Sequence, residues 1–290
     1  MMRKTLLLLS PLLLFSKPVK VDEILTDTNK FKLETSISYA NINKKANVIS
    51  PITYQTAGGD FVNVPSFLGV SATNQDYINY GLNLKYGITK DLELFTGLNM
   101  FTSDTHISDS SFSTQSEKGF NNLNLGVTYQ VKKEDDSPSF LVGGSVDLLE
   151  RVTFSNDHKE NQSFKSYSFF ATSYYTVDPI VFLLKANYRL NFKKEYSDKS
   201  IESGNIFVLS PNIYFAVNPY TSINWGIKYQ FKSKDKIDGS VVANSGSSVG
   251  YTFGVSYEIN SKTTFNFNTE KLDTNDYSSN NINLSLAYKF

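Results

Sequence analysis

The stretch Ile-Val-Phe-Leu-Leu-Lys-Ala-Asn-Tyr-Arg-Leu-Asn-Phe (180–192) sets apolar residues at every second position. Ile180, Phe182, Leu184, Ala186, Tyr188, Leu190 and Phe192 share one face; Lys185, Asn187 and Arg189 share the other. A period of two is the signature of a β-strand with one apolar and one polar face. The same alternation recurs in twelve segments: 31–43, 77–88, 92–101, 121–131, 139–150, 164–177, 180–192, 205–217, 221–232, 250–259, 263–270 and 281–290. Such a repeat predicts an all-β chain of successive antiparallel hairpins.

The connections alternate between long and short. Short ones fall at 89–91, 132–138, 178–179, 218–220 and 260–262, with Asp-Pro, Asn-Pro and Asn-Ser as turn formers. Long ones fall at 44–76, 102–120, 151–163, 193–204, 233–249 and 271–280. Short turns at one end and long loops at the other describe an up-and-down transmembrane barrel. Both chain ends then lie on the short-turn side, which requires an even number of strands. The stretch 48–70 is open to three readings: an external hairpin, an inward-folded constriction, or two further strands for a total of fourteen. Pro51 and Pro65 argue against the last.

Charge settles which face meets lipid. A Lys or Arg on the lipid face at mid-depth costs roughly 2–4 kcal/mol. Lys185, Arg189 and Lys228 must therefore face a wet interior. Inward acidic residues Glu34, Glu93 and Asp147 come from the first, third and fifth strands, opposite the basic arc in a closed circle; Lys85, near the short-turn end, breaks this pattern. Two readings follow: a transverse field that orients polar solutes, or ion pairs that brace the wall. Inner-face glycines (Gly81, Gly97, Gly126, Gly143, Gly226 and Gly254) either widen the lumen or let the sheet curve.

Six strands end in an aromatic-x-apolar triplet, led by Tyr86, Tyr129, Tyr175, Phe215, Tyr257 and Tyr288. Five of these precede a short turn and the sixth ends the sequence at Phe290. A ring of aromatics at one level is expected to form an interfacial girdle. The load of 22 Phe and 18 Tyr suits this, although mean hydropathy is only −0.27.

The N-terminus reads as an export signal. Arg3 and Lys4 precede the apolar run 5–15, which is too short to span a bilayer. Residues 1–16 are assigned to the signal, with cleavage near Ser16; 17–30 to a short periplasmic segment; and 31–290 to the barrel. Basic and acidic residues balance at 28 each, which argues against nucleic-acid binding. Cysteine is absent, so disulfides and thiol chemistry are excluded. His106 and His158 lie in polar loops beside carboxylates, a pattern typical of solvated loops. No metal site, cofactor or catalytic residue is proposed, and the chain is not expected to be an enzyme.

Two stretches carry a family resemblance. YGITKDLELFTGLNMF (86–101) is similar to a hairpin of outer-membrane transporters of the phenol meta-pathway type. GFNNLNLGVTYQVKKEDDSPSFLVGGSVDL (119–148) resembles the order that follows there: a Gly/Asn-Leu segment, a Tyr-rich strand, an acidic turn with Pro and a Gly-rich strand. The Pro-Thr-Gly that ends this pattern is replaced here by LLERVTF (148–154). The resemblance implies an outer-membrane transporter with a role in hydrocarbon uptake. Phe290 resembles the aromatic end that the barrel-insertion machinery reads in bacterial outer-membrane proteins. The resulting expectation is a twelve-stranded outer-membrane barrel that passes small solutes by passive or binding-assisted diffusion. Its partners are membrane lipid, the insertion machinery and an unidentified solute; its oligomeric state is open. The competing readings are a non-conducting barrel whose long loops bind a partner, and a lipid-modifying barrel enzyme.

Overall fold

The computed structural model describes residues 25–45, 52–65, 72–107, 113–153, 159–196 and 199–290. The signal assignment for 1–16 and most of the segment 17–30 lie outside these residues, as do Pro51 and His158. Twelve long strands form the wall: β1 (Phe31–Lys44), β2 (Thr73–Gly87), β3 (Leu92–Ile107), β4 (Ser113–Lys132), β5 (Ser139–Thr153), β6 (Ser166–Val177), β7 (Ile180–Asn191), β8 (Ile206–Asn218), β9 (Thr221–Lys232), β10 (Gly246–Asn260), β11 (Thr263–Asp273) and β12 (Tyr277–Lys289). Each pairs antiparallel with its sequence neighbours, and β12 returns to β1 in a register running from Lys32↔Lys289 to Lys44↔Tyr277. The sheet is closed. The backbone N–H of Phe290 extends this seam by donating to Phe31 O at 2.9 Å.

Side-chain oxygens close the short turns. Asn218 Oδ1 accepts from the N–H groups of Tyr220 and Thr221, and Asn260 Oδ1 from that of Lys262. Asp135 Oδ1 accepts from Ser137 N at 2.8 Å. These are local Asx-type bonds that substitute for a ladder partner. Pro211 interrupts the wall itself: pairing of β8 with β9 lapses between Leu209↔Tyr229 and Asn212↔Gly226, because proline brings no N–H to the ladder.

At the long-loop end the strands outrun the alternation that predicts them. The connection expected over 102–120 shrinks to 108–112, because β3 runs on to Ile107 and β4 starts at Ser113. On β1, β2, β3, β11 and β12 the two faces here exchange character without losing phase. Outward positions become Asn41, Asn43, Asn74, Asp76, Asp104 and His106, while inward Ala40, Ile42, Tyr77, Phe101, Leu272 and Tyr277 form a buried cluster. An expectation of apolar residues on the outside stops where the outside turns polar.

That inner cluster packs against a hairpin lying inside the barrel. Its strands, Ile52–Gln55 and Phe61–Val64, are buried at every residue. Ile52, Tyr54, Val62 and Val64 join the cluster, with the Tyr54 ring edge-on to Tyr277 at 6.0 Å. Of the three readings for 48–70, the inward fold is the one found, and the barrel keeps twelve strands. The turn closes through Thr56 N to Asp60 O and Gly59 N to Thr56 O, both 2.9 Å, with Gly59 at φ 99°.

Two further pieces occupy the ends. Over the long loops, Lys194–Tyr196, Lys199–Glu202, Asp235–Ile237 and Ser240–Ala243 form a four-stranded sheet. Its Tyr196, Ile201 and Ile237 pack with Val152 of β5. At the short-turn end, Leu25 packs on Leu141, Tyr174, Val181 and Leu183. Asn29 N donates to Gly87 O at 2.7 Å. A side chain at Gly87 would overlap the carbonyls of Thr26 and Asp27, so this approach requires glycine.

The turn of the inner hairpin supplies a test. No atom lies within 4 Å of a Cβ placed on Gly59, so a substitution there meets backbone strain alone. Gly59→Val is expected to weaken hairpin seating by about 1–3 kcal/mol. Hydrogen exchange at the Thr56 and Gly59 amides should accelerate while the wall strands keep their protection; unchanged exchange would contradict the assigned turn.

Candidate functional site

The inner face of a closed barrel excludes lipid, and the charged residues on it find partners close by. Arg189 of β7 donates through Nη2 to Asp147 Oδ2 of β5 at 2.6 Å, with both side chains at most 3% exposed. The same guanidinium lies over the Phe61 ring of the hairpin, 5.2 Å from its centroid. Lys228 of β9 pairs with Glu270 of β11 at 3.0 Å and reaches Gln55 O at 3.5 Å. Glu34 sits between Lys32 and Lys85, each at 3.0 Å. Glu93 accepts two hydrogen bonds from Thr26, from N at 2.7 Å and Oγ1 at 2.6 Å. The opposed arcs read from the sequence are thus largely neutralised by near neighbours, as desolvated charges require.

Lys185 differs from these pairs. It projects from β7 into the lumen, is exposed there, and has no ion-pair partner among the described residues. Of the partners of the other charges, Asp147 is singled out from sequence, whereas Glu270, Lys32 and Thr26 are not. Glu270 follows the alternation of Asn266 and Asn268 by one more step and was readable. Glu150 was not. A bulge shifts the β4–β5 register between Leu123↔Leu149 and Asn124↔Asp147. The extra residue turns Glu150 inward, where it accepts from Lys194 Nζ at 2.6 Å, Ser166 Oγ at 2.9 Å and Asn63 Nδ2 at 3.2 Å. One carboxylate thereby ties wall, cap sheet and hairpin together.

The hairpin is held on many sides by polar groups of the wall. Asn121 exchanges two hydrogen bonds with the Asn63 backbone, at 3.0 and 2.6 Å. Asn122 donates to Phe61 O, Asn281 to Tyr54 Oη and Gln75 to Pro65 O. The glycines serve the same packing. A Cβ on Gly97 would overlap the amides of Asn83 and Asn124, which flank it on the neighbouring strands. Gly254 stands likewise between Asn224 and Asn268, and Gly226 beside Asn212. Gly126 and Gly143 leave room for the Phe95 and Phe170 rings. Each gap is filled by a neighbour leaning over it, which keeps the wall low.

Between the hairpin turn and the N-terminal segment lies a chamber of two adjoining lobes, about 320 and 610 Å³. Both reach Glu34, Asp60, Asn83, Lys185 and Tyr214. The smaller is walled by amides and hydroxyls; the larger adds Phe95, Leu141, Phe170 and Leu183. Asp60 hangs from the hairpin turn. Desolvation, reinforced by Glu34, pushes its carboxyl up to about 6, against the pull of Lys85 and a hydrogen bond from Asn83.

Elsewhere, Tyr86, Tyr129, Tyr175, Phe215, Tyr257 and Tyr288 lie near the short-turn ends of their strands, on the face opposite the lumen residues. Tyr86 rests on Phe31 at 4.7 Å and Tyr288 meets Phe290 edge-on at 4.9 Å. His106 stands on the exposed outer face, its Nδ1 3.0 Å from Thr114 Oγ1. Among the described residues no group of three or more His, Asp or Glu is arranged to hold a metal ion.

The Arg189–Asp147 pair can be tested by unpairing it. Arg189→Met strands a buried carboxylate and is expected to cost about 3–5 kcal/mol, whereas Arg189→Met with Asp147→Leu should recover much of that loss. Urea unfolding of the refolded barrel in lipid vesicles measures both. Equal losses in the single and double variants would show that the pair is not coupled.

Comparison with known proteins agrees with this architecture. A profile of the family described as outer membrane protein beta-barrel domain matches residues 125–290. Comparison with curated protein sequences gave no match. Among solved structures, an outer membrane channel from Pseudomonas putida F1 superposes with TM-score 0.67 at 11% identity, over 91% of this chain and 96% of that one. The transport unit of the autotransporter AIDA-I from Escherichia coli gives 0.56 at 11% identity, over 89% and 90%. The translocator domain of autotransporter NalP from Neisseria meningitidis gives 0.52 at 7%, over 91% and 90%. At these identities the likeness is one of fold. The family match covers more than half of the sequence, and the chain belongs to the outer membrane protein β-barrel domain family, with the outer membrane as its location.

Proposed function

We propose that the protein is an outer-membrane channel for small solutes, closed in this state by the inward hairpin Ile52–Val64. The observation that carries this reading is the chamber. A barrel built only as a membrane anchor can fill its lumen with packed side chains, as small barrels do. Here the space below the hairpin turn stays hollow, its smaller lobe polar, and many of the hairpin's ties to the wall are hydrogen bonds that water can replace. Solutes then move by diffusion, aided by transient binding, once the hairpin shifts. The six aromatics from Tyr86 to Tyr288 act in this reading as the interfacial girdle, and Phe290 as the assembly signal.

Planar-bilayer recording tests the channel. The wild-type chain should give small, infrequent current steps. Replacing 52–64 by a short Gly-Ser linker should give large, long-lived ones. Silence from both would favour the non-conducting barrel whose outer loops bind a partner.

Asp60 adds a pH dependence. Its carboxyl is raised in the seated hairpin from an ordinary value near 3.8 to about 6. A released hairpin ionises first, so seating weakens as pH rises from about 4 to about 6 and is level above that. Glu34 and Asp147 face the ionised group as like charges and Lys85 as an opposite one. Open probability should therefore climb across that interval, and Asp60→Asn should flatten the climb. A wild-type profile already flat between pH 4 and 7 would remove Asp60 from the closure.

A further inference from the structure

We infer that the smaller lobe of the chamber is a binding site for a small hydroxyl-rich carboxylate, of the sugar-acid class, seated on Lys185. The inference rests on the channel reading above and names the kind of solute that site takes. Three features converge on it.

The lining comes first. Asn187, Asn212, Asn224, Asn266, Asn268 and Asn283 surround the lobe, with serine and threonine hydroxyls between them. Apart from Ala57 and Tyr214, no alanine, aliphatic or aromatic residue among the described ones lines it. An amide offers both donors and acceptors, as a hydroxyl does, so the two classes pair in any order. A hydrocarbon would leave these groups unpaired, which disfavours it strongly. The implied solute is therefore of a different class from the one suggested by the sequence resemblance. Tyr214, which also lines the lobe, supplies an aromatic surface for a sugar's C–H side.

The second feature is an unmet hydrogen bond. Thr56, in the hairpin turn, is 2% exposed and lines the lobe, yet its Oγ1 has no partner among the described residues. Buried hydroxyls are normally bonded. A ligand hydroxyl in the lobe would supply the missing bond after a small shift of the turn that uncovers this oxygen.

The third is charge. Lys228, at the edge of the lobe, is held by Glu270, and the lumen lysines Lys32 and Lys85 by Glu34. Lys185 alone among the lysines lining the lobe has its ammonium free among the described residues, and it is exposed. Glu34 and Glu270, which also line the lobe, are engaged by those other lysines. Asp60 is bonded by Asn83. A single free ammonium amid amides suits one carboxylate; a phosphate more often draws an arginine fork or several backbone N–H groups.

Isothermal titration of the full chain in detergent provides the test, with D-glucuronate, D-glucose and benzoate as probes. Glucuronate should bind, glucose more weakly, and benzoate least. Lys185→Gln should weaken glucuronate about tenfold or more while leaving glucose unchanged. A fold control is the gel mobility of unheated against boiled protein, which Lys185→Gln should share with wild type. Benzoate binding as tightly as glucuronate would overturn the assignment, as would glucuronate affinity unmoved by Lys185→Gln. Binding lost with Lys185 in a protein that carries no current would keep the site and remove the channel. Current from a protein that does not bind glucuronate would keep the channel and remove the site.

Discussion

A backbone N–H or C=O left unpaired in hydrocarbon costs several kcal/mol, so a sheet that crosses a bilayer cannot keep an edge. In this chain the seam between β1 and β12 removes the last two edges. Much else follows from that pairing. An antiparallel sheet closed on itself through its first and last strands needs an even strand count. The alternation of side chains becomes a strict assignment to lipid or lumen. A slip of one residue in β7 would turn Lys185 and Arg189 outward, and one in β9 would do the same to Lys228, at a cost no local rearrangement offsets.

The lumen then has to satisfy what the wall turns toward it. Carboxylates and ammonium groups that water would have screened find one another over one or two strands. Amides lean over glycines, and the hairpin takes the bonds that remain. The apolar side chains of both hairpin strands meet the apolar half of the inner wall, while its turn, Phe61 and Asn63 meet polar groups. The same strand can therefore be greasy outside and polar inside along most of its length, then polar outside and greasy inside at its far end, without any change of phase. What changes is the solvent on each side.

The wall was legible because period-2 alternation depends only on local sequence. All twelve strands were readable from their apolar outer faces, and the short turns from their Asn, Asp and Pro. The strand ends near Ile107 and Ser113 were not, because there Asp104 and His106 replace the outer apolar positions while Phe101 carries the pattern inward. Glu150 was hidden by a bulge, which shifts phase by one residue and leaves no mark in composition. The hairpin was visible as a faint alternation around Gly58-Gly59-Asp60, but its destination depended on contacts with Asn121, Asn281 and Arg189, which are remote in sequence. The charges of the lumen were correctly faced inward, and their pairing had to wait for the register that brings Asp147 beside Arg189. The inner glycines were noted as a class, yet the reason for each is the amide or ring that leans over it.

One strand carries both stoppers. Segment 25–30, with Thr26 bonded to Glu93, leads directly into Phe31 at one end of β1. The hairpin that fills the other half of the lumen follows Lys44 at the opposite end. Neither piece is a stave: the segment touches the wall through the bridge of Thr28 to Gly87, and the hairpin is tied to it by side chains such as Asn121, Asn122 and Asn281. The lumen is thus bounded above and below by two pieces that the closed sheet does not need for its own pairing, so what fills it is separable from what holds it together.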